Sequence, residues 1–346
     1  MSLFTRLIIS KINEEVNGVK TFSFEGEEAR KISYQAGQYL TFVLPTNAGE
    51  IRRSYSLTSS PATGEPLSVA VKRIENGVFS RYLAEEAKVG DELLTTGAAG
   101  FFTFPGDFAG YKQLFFFAAG SGITPIYSLT KTALLTHPEK KVVLVYSNRT
   151  EESTLFLKEL QALEKKFPDQ LSIEFLYSTS PDLYRARLHK DLLKTLVKAH
   201  SVAPMERSLF YLCGPENYMV MCGYGLYQLG VPDSNIRKET FTTAKVLPKL
   251  SPPDKEPHEV RLKLLGEEYH FIVQFPETIH RAAKKKGIIL PYSCEVGRCG
   301  NCVARCKQGE VWMSYNEVLS EHELEAGLVL TCVGYPIGGD VELEIS

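Results

Sequence analysis

The sequence predicts a multidomain protein in three parts: a small antiparallel β-barrel or sandwich, an α/β domain on a parallel sheet, and a cysteine-rich C-terminal domain. Three observations carry this reading. Short β-like segments fill the first hundred residues, strand and helix alternate from Tyr111, and five of seven cysteines lie in the last quarter behind a proline-rich stretch. At roughly 150 residues per domain, a chain of 346 residues has room for two or three domains.

In the first part, Leu3–Ile9, Lys20–Phe24, Tyr39–Val43, Arg53–Leu57, Leu67–Arg73 and Glu92–Gly97 read as strands. Turn signals such as Pro45, Ser60–Gly64 and Asn76-Gly77 punctuate them, and a helix fits Val78–Ala87. In the second part, strands fit Gln113–Ala118, Val142–Tyr146, Ser172–Leu176, Leu209–Cys213 and Ile236–Phe241. Helices fit Ile123–Leu135, Ser153–Lys165, Lys190–Ala199 and Tyr218–Leu229. Apolar strand runs alternating with the amphipathic helices that cover them predict a parallel sheet.

Four prolines at 248, 252, 253 and 257 mark Val246–Glu259 as a semi-rigid linker. Beyond it, Val260–Leu264 and Tyr269–Gln274 suggest a hairpin, Thr278–Lys286 a helix, and Gly309–Met313 and Val341–Ile345 two further strands. The expected domains are therefore 1–108, 109–242 and 258–346, with a linker over 243–257.

Lys plus Arg number 39 against 41 Asp plus Glu, which supplies no general basic field and argues against nucleic acid as a partner. The balance is uneven: residues 258–346 hold 13 acids and 9 bases. The apolar run Leu114–Ala119 has 6 residues, far below the roughly 20 of a membrane-spanning helix. The first residues show neither a long apolar region nor a small-residue cleavage site, so the expected location is cytoplasmic.

Clustered cysteines in such a chain favour a metal or iron-sulfur site over disulfides. Cys294, Cys299 and Cys302 have C-x4-C-x2-C spacing, and Cys332 follows after 29 intervening residues. This is the plant-type spacing for a [2Fe-2S] cluster, whose four thiolates hold two irons. Gly297 and Gly300 give the loop permissive backbone angles and let amides face the sulfurs. The rival readings are zinc or simple burial, and Cys306, which completes no further pattern, is taken as a non-ligand.

Gly120, Gly122, Thr124 and Pro125 stand between an expected strand and an expected helix, the context of a dinucleotide loop. Gly120 permits the turn, Gly122 permits close phosphate approach, and the helix N-terminus supplies amides and dipole. Arg149, at the end of the next strand, can fork onto the extra phosphate of NADP; Glu151 and Glu152 nearby keep NADH as the alternative donor. Arg53, Tyr55 and Ser56 put a cation, an aromatic and a hydroxyl on one strand end, with Tyr55 pointing away from its immediate neighbours. Gly77, Val78, Phe79 and Ser80 enter a helix whose free amides, with the Ser80 hydroxyl, suit a pyrophosphate; a plain turn and N-cap is the alternative.

In their order, these motifs resemble the ferredoxin-NADP reductase superfamily fused to a C-terminal plant-type ferredoxin domain. The resemblance implies an antiparallel β-barrel that binds FAD, an α/β parallel-sheet domain that binds NAD(P), and a β-grasp ferredoxin domain. It implies that Arg53 binds flavin phosphate, Tyr55 packs on the isoalloxazine and Ser56 approaches its N5. Val71, Lys72 and Arg73 would line the ribityl chain, and Gly77 to Ser80 would close on the pyrophosphate. Cys213, Gly214 and Pro215 match a C-G-P motif whose cysteine sits near the nicotinamide C4, and Glu239 with Phe241 would flank the hydride-transfer site. Where relatives often have Gly-Arg, this chain has Ala186-Arg187.

The resemblance further implies a nicotinamide nucleotide donor, NADPH before NADH, and an oxygenase or desaturase protein as acceptor. Phenylacetyl-CoA epoxygenase is the first expectation, with a fatty-acid desaturase or ketosteroid hydroxylase as alternatives. A nicotinamide gives two electrons as hydride and a [2Fe-2S] cluster takes one at a time; a flavin does both, so the domain order reads as a wire. The rival of another class is an iron-sulfur redox sensor or binding module.

Overall fold

The computed structural model describes residues 4–46, 49–241 and 250–345. One compact unit comprises Phe4–Ala98 with Phe102–Phe241, and the other holds the described residues from 250 onward together with Ala99–Phe101. The first two expected domains thus share a unit. Residues 243–249 of the expected linker, Pro248 included, lie outside the described residues.

The first sheet is built from β1 (Thr5–Val16), β2 (Val19–Glu25), β3 (Tyr39–Thr46), β4 (Gly49–Ser56), β5 (Leu67–Lys72) and β6 (Glu92–Ala99), with helices α1 (Glu27–Lys31) and α2 (Val78–Glu85). Its order is β4-β3-β6-β1-β2-β5. β1 pairs antiparallel with β2 and β6, β2 with β5, and β3 with β4. The expected barrel is not seen as a continuous closed ladder; β4 and β5 are the edges, and just beyond β4 a single antiparallel bridge joins Leu57 to Val69. Phe22, Phe24, Leu40, Phe42, Val69 and Phe79 form the core beneath the sheet. β1 runs seven residues past the expected Ile9, because Gly18 takes φ 75° and turns the chain into a hairpin.

The second sheet contains β7 (Gln113–Ala119), β8 (Lys141–Asn148), β9 (Leu171–Tyr177), β10 (Ser208–Cys213) and β11 (Ile236–Glu239). Helices α3 (Ile123–Thr136), α4 (Leu157–Lys166), α5 (Lys190–His200) and α6 (Glu216–Tyr227) connect them. All four pairings are parallel, in the order β11-β10-β7-β8-β9. Phe116 packs with Ile126 of α3 and Leu160 of α4, whereas Phe115 and Phe117 pack with Leu193 of α5 and Leu226 of α6. Cover on both faces is why β7 is apolar along nearly its whole length. The expected start of α4 at Ser153 is corrected: the Ser153 hydroxyl donates to Thr150 O at 2.9 Å, and Phe156 at φ 60° precedes the helix.

The third sheet, in the other unit, consists of β12 (His258–Leu264), β13 (Glu267–Val273), β14 (Val303–Met313), β15 (Leu328–Leu330) and β16 (Gly334–Ile345), with α7 (Ile279–Lys285) and α8 (Glu321–Glu325). Its order is β13-β12-β16-β14-β15, and only β12 with β16 is parallel among the described pairings. Ile279 and Ala283 of α7 pack on Val260, Leu262 and Leu343. The end of the expected linker is anchored: Asp254 accepts from Gly338 N at 2.8 Å and pairs with His258 at 2.7 Å. α8 and β15 were not expected, although Ser320 and Glu323 form a capping box legible in the sequence. Among the described residues no helix is long and apolar enough to cross a membrane.

Candidate functional site

On β4 the pleat separates two adjacent arginines. Arg52 is buried and held by Glu50, with Nη2 to Oε1 at 2.7 Å, while Arg53 faces outward. Tyr55, two residues on, shares the Arg53 face, and burial pushes its phenol up although the Arg53 charge pulls it down. Its ring lies 6.1 Å from that of Phe79. Ser56 is buried, and its hydroxyl has no hydrogen-bond partner among the described residues. A buried hydroxyl without a partner among the described residues fits a site completed by a polar group of a bound ligand.

Val71 is buried, whereas Lys72 and Arg73 are exposed, Arg73 pairing with Glu85 at 2.7 Å. Gly77 caps α2, and a Cβ there would meet Ser80 Oγ at 2.5 Å. The Ser80 hydroxyl donates to Gly77 O at 3.1 Å and accepts from Ile74 N at 3.2 Å. That hydroxyl proton is used within the turn, and Val78, at the start of α2, is exposed. Phe79 is buried.

The second sheet changes winding direction between β7 and β10, and the crevice at their C-terminal ends is where open α/β sheets take ligands. Gly120 sits there at φ 55° with its carbonyl accepting from Tyr146 OH at 3.0 Å. Gly122 is also tightly packed: a Cβ would stand 2.1 Å from Cys213 O, so its missing side chain seats the β10 end against the β7 loop. Gly214 is likewise tight: a Cβ there would stand 2.9 Å from Ala119 Cβ. Thr124 is used inside the turn, donating to Ser121 O at 3.0 Å, and Pro125 occupies the first turn of α3, where its missing N–H leaves no bond unmade. Sequence reasoning missed the two tyrosines that brace this crevice, Tyr146 and Tyr218, the latter donating to Ala118 O at 3.2 Å; both lie far from the loop in sequence.

Cys213 ends β10 just before Pro215 caps α6, and it registers with Ala118 on one side and Glu239 on the other. Burial raises its thiol well above the usual range, with the Glu239 charge adding to the shift. Burial alone pushes the carboxyl of half-buried Glu239 up, to about 8. Phe241 is exposed, two residues beyond β11. Arg149 is exposed past the end of β8, with no ion-pair partner among the described residues; Arg187 is exposed too.

In the other unit the loop after Tyr292 draws four thiols together. Cys294 contacts both Cys299 and Cys332, and Cys332 contacts Cys302. The Cys294 sulfur is held toward thiolate by Cys299 and Cys332 first, then by the Val296 and Arg298 amides, while Cys299 and Cys332 are pushed up. Val296 N lies 3.5 Å from it. Among the described residues no three His, Cys, Asp or Glu side chains stand as a ready single-ion site. Cys306 is elsewhere, on β14, pointing at the carbonyls of Gln308 and Gly309 at 3.4 and 3.6 Å.

The loop is clasped from behind. Buried Arg298 pairs with Glu317 at 2.6 Å, and Glu317 N donates to Gly297 O at 3.1 Å. Gly297 takes φ 73°, and a Cβ there would press Tyr315 O at 2.8 Å. Four converged soft donors with amides aimed at one sulfur fit an iron-sulfur cluster better than a structural zinc knuckle. The clasp was not legible, since Arg298 and Glu317 are distant in sequence.

Three family models match: an oxidoreductase FAD-binding domain over 6–104, an oxidoreductase NAD-binding domain over 116–223, and a 2Fe-2S iron-sulfur cluster binding domain over 262–336. The chain is 33% identical to the ferredoxin reductase component of 3-ketosteroid-9-alpha-monooxygenase from Rhodococcus rhodochrous, covering 98% of this chain and 96% of that protein. It is 32% identical to one of the subunits of 1,2-phenylacetyl-CoA epoxidase from Escherichia coli, covering 99% and 98%. Among solved structures, an intact type IV self-sufficient cytochrome P450 monooxygenase shares the fold at TM-score 0.74 and 21% identity, over 99% of this chain and 41% of that one. Phthalate dioxygenase reductase does so at TM-score 0.59 and 22% identity, over 99% and 98%. With its FAD-binding, NAD(P)-binding and 2Fe-2S domains in that order, the chain belongs to the ferredoxin-NADP reductase superfamily and is an NAD(P)H-dependent electron-transfer oxidoreductase.

Proposed function

We propose that this reductase takes electrons from NADPH through FAD to a [2Fe-2S] cluster and hands them to an oxygenase protein, with phenylacetyl-CoA epoxygenase as the first choice. The observation that carries the one-electron branch is the convergence of Cys294, Cys299, Cys302 and Cys332, which hydride chemistry alone does not require. Held by Arg53, Tyr55 and Ser56, FAD would supply acceptance of a hydride from the nucleotide and release of electrons one at a time to a cluster held by Cys294, Cys299, Cys302 and Cys332.

In this reading the first amides of α2 and Arg53 hold the FAD phosphates, Tyr55 packs on its ring, and Ser56 offers its orphan hydroxyl to N5. Cys213 and Glu239 border the nicotinamide, with Phe241 at the flavin side, and Arg149 takes the extra phosphate of NADP. The domain bounds 1–108, 109–242 and 258–346, a barrel closed over the Leu57–Val69 bridge, a β-grasp C-terminal domain and a cytoplasmic location belong to the same reading.

A 3-ketosteroid monooxygenase is the second reading for the acceptor, favoured by a relative of near-full length at comparable identity. Reconstitution with each purified oxygenase tests the choice: NADPH-driven oxidation of phenylacetyl-CoA is expected, and turnover with the steroid enzyme alone would move the assignment to it.

A further inference from the structure

Beyond the nucleotide sites, the two lobes of the first unit are joined by polar contacts that the electron route leaves unused. The loop that follows the Arg53–Ser56 strand end is wired to α3, the helix that opens at Gly120–Gly122. Ser128 donates to Ser59 O at 2.5 Å, and Thr132, one turn along, shares a hydrogen bond with Ser60 Oγ at 2.6 Å. Between them Lys131 forms an ion pair with Glu65. Glu65 Oε1 also accepts from Ser60 N at 2.8 Å, so a single carboxylate ties the loop to itself and to the helix. Ser59, Ser60 and Ser128 are at most 1% exposed and the Lys131 side chain is 8% exposed, whereas the Glu65 side chain is 34% exposed, so the ammonium is shielded from water and the carboxylate meets it from the rim.

We infer that Glu65 and Lys131 are positioning residues that set the approach of the nicotinamide to the flavin. The inference rests on the proposed electron route. Donor and acceptor ride on different lobes, the flavin candidates on β4 and α2 and the nucleotide candidates on the β7–α3 loop. The clasp lies one short loop from the first set and within three turns of helix from the second. A wholly solvent-exposed pair would add little to stability, but here the buried Lys131 ammonium would be left uncompensated without the Glu65 carboxylate, and that favours one register of loop and helix. A hydride transfer is sensitive to this: displacement of about 1 Å can cost roughly a hundredfold in rate.

The test uses Glu65→Gln, which keeps an acceptor for Ser60 N while removing the charge, with Lys131→Met and Lys131→Arg beside it. Loaded, full-length protein is mixed anaerobically with NADPH, and flavin bleaching is followed against nucleotide concentration. The expected result is a limiting reduction rate lowered about tenfold or more in Glu65→Gln and Lys131→Met, with nucleotide Kd changed less than twofold. The deuterium isotope effect from C4-labelled nucleotide should rise in both, and Lys131→Arg should recover most of the rate. Ferricyanide turnover of protein prereduced with dithionite should be unchanged. A limiting rate within twofold of the unmodified protein in Glu65→Gln, or a loss confined to Kd, would overturn the positioning role. If Lys131→Met does not fold, Glu65→Gln and Lys131→Arg decide. Failure of the unmodified protein to reduce its flavin would overturn the electron route and this inference together, an outcome separate from a clasp that does not matter.

Discussion

Gly122 has no side chain because Cys213 occupies the space: a Cβ would stand 2.1 Å from the Cys213 carbonyl oxygen and 2.4 Å from its carbon. The contact joins the first and fourth strands of the parallel sheet at the crevice where the winding reverses. Gly122→Ala must therefore separate β7 from β10, and a destabilisation of about 1 to 3 kcal/mol is expected, with weakened nucleotide binding. Gly120→Ala has open space and loses only the left-handed backbone preference, about 1 to 2 kcal/mol. Urea unfolding with nucleotide titration separates the two: Gly122→Ala should lose more binding, and the opposite ranking would contradict the packing role.

Ligand assignment follows from the thiol contacts. Cys294→Ser, Cys299→Ser, Cys302→Ser and Cys332→Ser should each lack normal iron and sulfide content, whereas Cys306→Ser, directed at its own strand's carbonyls, should keep both. Iron and acid-labile sulfide analysis after anaerobic purification reads this directly. A normal content in Cys332→Ser, or loss in Cys306→Ser, would reassign the fourth ligand.

The 2Fe-2S domain was legible because the spacing of Cys294, Cys299 and Cys302 is a local property of the chain, and the parallel sheet was legible because covering helices force apolar strands such as Gln113–Ala119. What escaped was decided by residues far apart. Gly122 is tight because of Cys213, Arg298 is fixed by Glu317, and Glu65 reaches Lys131 across the lobes. Local competition was missed as well: Ser153 makes a turn with Thr150 where helix was expected. Alternation does part Arg52 from Arg53, and the outward member is the one in the expected motif.

Burial holds the Glu239 carboxyl at about 8, against an ordinary value of 4.5. The folded chain keeps a proton that the unfolded chain releases, so this stabilisation is full below about pH 4.5 and is lost as pH rises through 8. Glu239→Gln, which cannot ionise, should be more stable than the unmodified protein above about pH 8, and the difference should vanish in acid. Chemical denaturation across that range checks it. The same variant should flatten any inflection near 8 in the rate of flavin reduction; an unchanged profile would remove Glu239 from the hydride site.

Arg149, exposed beyond β8 and unpaired among the described residues, is expected to set the nucleotide preference. Losing a forked charge-assisted contact removes roughly 1.5 to 3 kcal/mol, or about one to two decades. Arg149→Ala should reduce kcat/KM for NADPH by that factor and leave NADH nearly unchanged. Equal kcat/KM values for the two nucleotides in the unmodified protein would contradict the preference without touching the fold.

The most direct test of the whole account is an anaerobic titration of the fully loaded protein with NADPH, followed by absorption for the flavin and by low-temperature electron paramagnetic resonance for the cluster. The account predicts bleaching of the flavin and one reduced [2Fe-2S] spin per chain, the second signal lost in Cys294→Ser while flavin reduction persists. A cluster that stays oxidised while the flavin is fully reduced would contradict it.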